Sequence, residues 1–255
     1  AEYDLFFIDI WGVLHNGLNL FQNSVEVLEK LEKNKKKYVL LTNAPRPNLT
    51  VVEYLKKMGL DEKKAQQVYT SGQAALDQLK TMKSKTFFHI GPPRDFDLFK
   101  TFENQKVEKI DSCDFLLCTG LFDDESELKF YEKLLLDHTE KKMICTNPDL
   151  VVDRGEEREF CAGSVAKIFE KLGGEVKYFG KPYPEVYEKA FKNLQGKKVI
   201  CIGDNLNTDI KGANMQNFDS LLINNGIHKN EISNGIKELT KKYNVNVNYT
   251  QTELK

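Results

Sequence analysis

The 255-residue chain is short of several things, and each shortage narrows what it can do. Arginine occurs only at positions 46, 94, 154 and 158, and 37 basic residues stand against 38 acidic ones. A formal net charge of −1 gives no global positive field, so nucleic acid is not an expected partner. No apolar run approaches the roughly 18 residues of a membrane span, so no membrane association is expected. No basic start followed by an apolar core marks export, and the expected location is cytoplasmic. The five cysteines are odd in number, form no C-x-x-C pair and lie mostly in apolar strand-like runs. That pattern predicts buried, reduced thiols. Tryptophan occurs once, at Trp11.

What is present is an alternation of buried strands and amphipathic helices. Leu5-Phe6-Phe7-Ile8 is a continuous apolar run, the pattern of a strand covered on both faces in a parallel sheet. It ends in Asp9, with Gly12 just beyond to turn the chain. Asn23-x-x-Glu26 has the form of a capping box opening a helix with Val25, Leu28 and Leu31 on one face. Val39-Leu40-Leu41 reads as a second strand, ending in Thr42-Asn43, and Thr50-x-x-Glu53 opens a helix that stops at Gly59. Strand–helix–strand–helix order marks a right-handed parallel α/β unit.

Val68-Tyr69 and a helix through Ala74, Ala75 and Leu79 lead to a lysine-rich stretch, residues 80–85, expected to be a linker. The α/β pattern then restarts with strands at Phe87–Ile90, Phe115–Cys118 and Met143–Cys145, and helices around Tyr131 and around Val165 and Phe169. In the last third, Gly180-Lys181-Pro182 precedes a helix carrying Tyr187, Ala190, Phe191 and Leu194. Val199–Ile202 is a buried strand that leads into Gly203 and Asp204, with Asp209 at the start of the next helix. Leu221-Leu222-Ile223 is the last expected strand, before a polar helix and an Asn-rich tail.

Four strand ends therefore carry polar side chains: Asp9, Thr42-Asn43, Lys181, and Asp204 with Asp209. In an open parallel sheet the carboxyl ends share one edge, where ligands bind. Three carboxylates meeting there would repel one another without a cation, and a hard, oxygen-preferring ion such as Mg²⁺ suits them. Lysine, a hydroxyl and the backbone N–H groups at Thr42-Asn43 would receive phosphate oxygens. Asp9 would be the nucleophile of a phosphoryl transfer through an aspartyl-phosphate.

Taken in order, Asp9-x-Trp11-Gly12-Val13, Leu41-Thr42-Asn43, Gly180-Lys181-Pro182 and Gly203-Asp204-x₄-Asp209 resemble the four motifs of the haloacid dehalogenase (HAD) superfamily. The Thr70-Ser71-Gly72 loop and the large insert between the second and third motifs resemble its class IIA branch, which holds NagD-like, nitrophenyl-phosphatase-like and phosphoglycolate-phosphatase-like enzymes. The loop Cys145-Thr146-Asn147-Pro148-Asp149 and the helix entry Ala162-Gly163-Ser164 resemble that branch's cap. The resemblance covers nearly the whole chain. It implies a doubly wound, Rossmann-like parallel-sheet core over residues 1–79 and 176–255, with an inserted α/β cap over 80–175. It implies Asp9 as nucleophile and Mg²⁺ ligand, with the Trp11 backbone carbonyl, Asp204 and Asp209 completing the metal site and Gly12 and Asn205 in support. Thr42, Asn43 and Lys181 would bind the phosphoryl group. The expected reaction is hydrolysis of a small phosphorylated metabolite, with a homodimer through the cap as a plausible assembly by resemblance.

Position 11 departs from the pattern. Phosphatases of the superfamily usually carry a second aspartate there as general acid/base, and an indole cannot transfer that proton. His15 and Asp149 are the titrating candidates to replace it, with Asn147 beside them in the cap loop; a packing or substrate-wall role suits Trp11 better than a catalytic one. Two alternatives stay open at this stage. One is a weak or inactive relative that binds a phosphorylated ligand or a partner. The other is an enzyme with a different leaving group, a phosphonate or a halide.

Overall fold

Leu5–Ile8 carries no polar side chain because the strand it forms is buried along its whole length. The computed structural model describes residues 2–82, 84–154, 157–232 and 235–255. Its strands, in chain order, are β1 (Leu5–Ile8), β2 (Lys37–Thr42), β3 (Val68–Thr70), β4 (Phe87–Ile90), β5 (Lys106–Val107), β6 (Phe115–Cys118), β7 (Lys142–Cys145), β8 (Val151–Arg154), β9 (Glu157–Phe160), β10 (Glu175–Tyr178), β11 (Val199–Gly203), β12 (Asp219–Ile223) and β13 (Tyr249–Gln251). The chain divides into two compact units: Ala1–Thr42, Leu49–Tyr69 and Lys181–Lys255 in the first, Asn43–Asn48 and Thr70–Gly180 in the second.

The first unit is built on a six-stranded sheet in the order β13-β12-β11-β1-β2-β3. β1 runs parallel to both neighbours, Ile8 pairing with Ile202 on one side and Leu40 on the other. The order reverses at β1: the chain moves outward through β2 and β3, then returns on the other side through β11, β12 and β13. That is a doubly wound sheet with its switch point between β1 and β11. One core gathers Phe6, Ile8, Leu28, Leu40, Leu55, Ile202 and Ile223. Phe7 points the other way, edge-on to Tyr187 with ring centroids 5.2 Å apart.

The second unit has its own sheet, β10-β7-β6-β4-β5, with each neighbouring pair parallel, and an antiparallel hairpin of β8 and β9. The helices Leu128–Leu135 and Ala162–Lys171 bury Tyr131, Leu135, Val165 and Phe169. The molecule is thus an α/β protein with a Rossmann-like parallel core and an inserted α/β subdomain.

Several local expectations are corrected. The helix after the first loop runs Gln22–Lys33 with Phe21 at its N-cap, so Asn23 caps nothing and instead donates to Glu253. The next begins at Asn48, placing Thr50 inside its first turn. The helix at Pro184 ends at Ala190, leaving Leu194 beyond it. The Asn-rich tail contributes β13, which pairs with β12, so Leu221–Ile223 is not the last strand. Of the lysine-rich stretch expected as a linker, Lys83 lies outside the described residues. The five thiols are buried and unpaired, and among the described residues no helix is long and apolar enough to cross a membrane.

Phe7 is the largest side chain of β1 on the face opposite the main core. Phe7→Ala should cost about 3–5 kcal/mol in the first unit. Urea denaturation followed by the emission of Trp11, the chain's single tryptophan, measures this unit alone; a loss below about 1 kcal/mol would contradict the packing described.

Candidate active site

β1, β11 and β2 end side by side, and their registers put Asp9 level with Gly203 and Leu41, with Asp204 and Thr42 one residue further out. The Asp9 N–H donates to the Ile202 carbonyl at 2.8 Å, so the ladder runs to the carboxylate-bearing edge without a break. Asp209 arrives from a π-helical turn, Leu206–Ile210, a form often found at functional sites. The turn's N-cap is Asn205, whose side chain accepts from the Asn207 N–H, so Asp209 is released from any capping duty. Instead its Oδ2 accepts from the Asn205 N–H at 3.1 Å.

Carboxylate oxygens of Asp9, Asp204 and Asp209 lie within 4.8 Å of one another. The Lys181 ammonium joins two of them, donating to Asp9 Oδ1 at 2.5 Å and to Asp209 Oδ1 at 2.7 Å. All four side chains are buried. Burial alone would pull the Lys181 ammonium down, but Asp209 and Asp9 outweigh it and hold it above its ordinary value. Burial pushes Asp209 up to about 6 against the pull of Lys181. Asp204 stands well above the carboxylate range through burial and the charges of Asp9 and Asp209, although its Oδ2 accepts from the Ile227 N–H at 2.9 Å.

Among the described residues of this buried cluster, three ionised carboxylates face one ammonium, an excess of two negative charges. Only a cation or protons can balance them, and an all-oxygen donor set suits a hard divalent ion. The residues therefore fit Mg²⁺, held by Asp9, Asp204 and Asp209. Two glycines make room: a Cβ at Gly12, where φ is +80°, would lie 2.2 Å from Asp204 Oδ2, and one at Gly226 would lie 2.1 Å from the same atom. The Trp11–Gly12 peptide thus borders the carboxylates.

The second unit gathers other expected residues. The Asn43 amide donates to Asp149 Oδ1 at 3.0 Å, and the Asp149 N–H donates to the Asn147 side-chain carbonyl at 3.0 Å. Thr42 and Asn43 are both buried. In the first unit His15 is buried; its Nδ1 accepts from the Gly17 N–H at 2.8 Å, and burial pushes the imidazole down to about 4. It is neutral at pH 7 with its proton on Nε2.

Gly226-Ile227-His228 was not among the expected site residues. Besides the Ile227 N–H on Asp204, the His228 Nε2 accepts from the Leu206 N–H at 3.2 Å, and its other ring nitrogen is bonded to Glu231 at 2.8 Å. One segment therefore supports the Asp204–Leu206 loop twice. The signal was the Asn225-Gly226 turn pair at the end of β12, on the edge already known to carry polar groups.

A family model described as haloacid dehalogenase-like hydrolase matches residues 6–104, and one described as HAD-hydrolase-like matches residues 178–246. A haloacid dehalogenase-like hydrolase from Brucella suis 1330 is 34% identical, with a TM-score of 0.79 over 89% of this chain and 87% of that one. The chain belongs to the haloacid dehalogenase-like hydrolase family. Among curated relatives, the acid sugar phosphatase of Staphylococcus epidermidis is 24% identical over 236 residues, 89% of this chain and 88% of that protein. The 4-nitrophenylphosphatase of Schizosaccharomyces pombe is 26% identical over 262 residues, 90% of this chain and 86% of that protein. The two family matches flank residues 105–177, which fall within the second unit.

If the cluster is this hydrolase's cation site, Mg²⁺ at about 100 times its Kd should stabilise the fold by about 2.7 kcal/mol. For a chain of this size that is a rise of about 5–10 °C in the melting midpoint. Protons compete for the same oxygens, so the rise should be larger at pH 7.5 than at pH 5. Asp204→Asn should remove it; equal shifts in wild type and variant by thermal denaturation would exclude the cluster.

Proposed function

We propose that this chain is a Mg²⁺-dependent, class IIA phosphatase that hydrolyses small phosphate monoesters through a phosphorylated Asp9. One observation carries the reading: the Lys181 ammonium sits between Asp9 and Asp209, with Asp204 in the same buried cluster. Two relatives, an acid sugar phosphatase and a 4-nitrophenylphosphatase, support it. Residues 80–175 act as the class IIA cap in this reading, and Asn147 and Asp149 are its substrate-facing residues.

The Lys181 ammonium donates to Asp9, and an opposite charge beside a carboxylate favours the ionised form that a nucleophile needs. An Asp9 oxygen attacks phosphorus; the bond from phosphorus to the ester oxygen breaks, and its electron pair leaves on that oxygen. Water then attacks the phosphorus of the acyl-phosphate, loses a proton to solvent, and phosphate departs as the Asp9 carboxylate is restored. Thr42, Asn43 and Lys181 receive the phosphoryl oxygens. Asp9, Asp204, Asp209 and the Trp11 carbonyl would hold Mg²⁺, with Asn205 and Gly12 shaping the site; when bound, the ion offsets charge on the phosphoryl group.

The side chain at position 11 supplies no proton, and His15 is neutral with Nδ1 already accepting. Ester oxygens that depart readily as anions are therefore the better substrates. With Mg²⁺ present, 4-nitrophenyl phosphate should be turned over, and Asp9→Asn should abolish turnover. Trp11→Asp should raise kcat on alkyl phosphates by about 10²-fold or more, the lower end of what general acid catalysis supplies. Ligand-induced stabilisation with no turnover of any ester would reject the enzyme reading in favour of a binding protein.

A further inference from the structure

We infer that the Trp11 indole is a fixed platform for a planar apolar leaving group, so that the site prefers aryl-type phosphate esters to aliphatic ones. The inference rests on the phosphatase reading above and names its substrate class.

The indole is rooted beside the carboxylates. A Cβ on Gly12 would stand 2.2 Å from Asp204 Oδ2. Covalent geometry then puts the Gly12 Cα within about 4 Å of that oxygen and the Trp11 Cα within about 8 Å. The side chain at position 11 thus begins within its own reach of the cluster.

It is also seated. Gly17 has φ +89°, and a Cβ there would meet Trp11 Cη2 at 2.7 Å and Cζ2 at 3.0 Å, so the outer ring lies against bare main chain. His15 stands edge-on to the indole, centroids 5.2 Å apart at 75°. The Gly12 N–H donates to the His15 carbonyl at 2.8 Å, closing the turn that carries both rings. Tyr54 holds the far side: its hydroxyl donates to the Gly17 carbonyl at 2.7 Å, and its ring is edge-on to His15 at 5.8 Å. Three separate contacts fix the loop under the indole.

Despite that support, Trp11 remains 38% exposed. An isolated exposed apolar side chain is ordinary. This one differs because its underside is built and its root borders the reaction centre. The cost of ordering an aromatic contact surface is already met in the free protein, the condition under which stacking contributes most to binding. The seat is aromatic throughout, the indole edge-on to His15 and His15 edge-on to Tyr54, which points to flat rings as the groups that would stack on it.

Because Trp11 is the only tryptophan, its emission reports on this position alone. Phenylphosphonate and methylphosphonate share a head group, resist hydrolysis and differ in the ring. With Mg²⁺ present, phenylphosphonate should bind about tenfold more tightly and change the Trp11 emission, while methylphosphonate leaves it nearly unaltered. By calorimetry, Trp11→Ala should bring the affinity ratio close to one and Trp11→Phe should keep most of it, circular dichroism confirming that both variants fold. Equal affinities in wild type, or a ratio that survives in Trp11→Ala, would overturn the platform. Ester turnover without any aryl preference would overturn the platform and leave the phosphatase standing; absence of both turnover and phosphonate binding would overturn both.

Discussion

The ammonium of Lys181 is the contact on which the catalytic edge depends. It is buried, it reaches Asp9 and Asp209 within 2.7 Å, and these groups come from three distant stretches of chain. Removing a lone ammonium or carboxylate from water costs several kcal/mol, and a mutual ion pair offsets this only with good geometry. Here one cation answers two carboxylates, and Asp204, close by, is answered by backbone N–H alone among the bonds described. The cluster is therefore under-neutralised by design of its residue types. A divalent ion would offset that excess of negative charge.

Topology makes such a cluster affordable in sequence terms. At the switch point between β1 and β11, two adjacent strands end with connections running to opposite sides, so no crossover passes between their ends. Asp9 and Asp204 take those two places. The glycines at 12 and 226 let main chain approach Asp204 where any Cβ would collide with its carboxylate. The π turn brings Asp209 back to the same point while leaving the capping of its helix to Asn205. Strand, turn and helix geometry thus bring three carboxylates to one point.

How much of this could be read beforehand follows from where each residue's environment is set. Asp9, Lys181, Asp204 and Asp209 were legible because their neighbours in sequence are buried strands or punctuating Gly and Pro, and a parallel sheet sends strand ends to one edge. The capping boxes at Asn23 and Thr50 were not, because the helices start where tertiary contacts fix them: Phe21 holds the N-cap of one, and Asn48, which also accepts from the Thr70 N–H, opens the other. β13 was hidden because, among the described residues, it pairs with β12 alone, and its residues are polar and mostly exposed. Gly226-Ile227-His228 was hidden for a related reason. A main-chain N–H reaching a carboxylate leaves no mark on residue type, and His228 acts through Leu206, 22 residues away.

Position 11 joins two demands that most side chains could not meet together. Its main chain must border the carboxylates, which fixes where the Cα stands, whatever the side chain is. A proton donor at that spot is worth roughly 10²–10⁴ in rate, or about 3–5 kcal/mol at the barrier. A leaving group that is already a weak base needs little of that help, since its oxygen departs as an anion unaided. The chain has placed there the one side chain that combines no proton with the largest flat surface, and has built Gly17, His15 and Tyr54 beneath it. In the proposed reading, loss of the acid and gain of the platform would favour the same substrates, since rings stabilise the departing oxygen by delocalisation and rings stack. The absence at position 11 and the structure around it would then be, in physical terms, one adaptation to the leaving group.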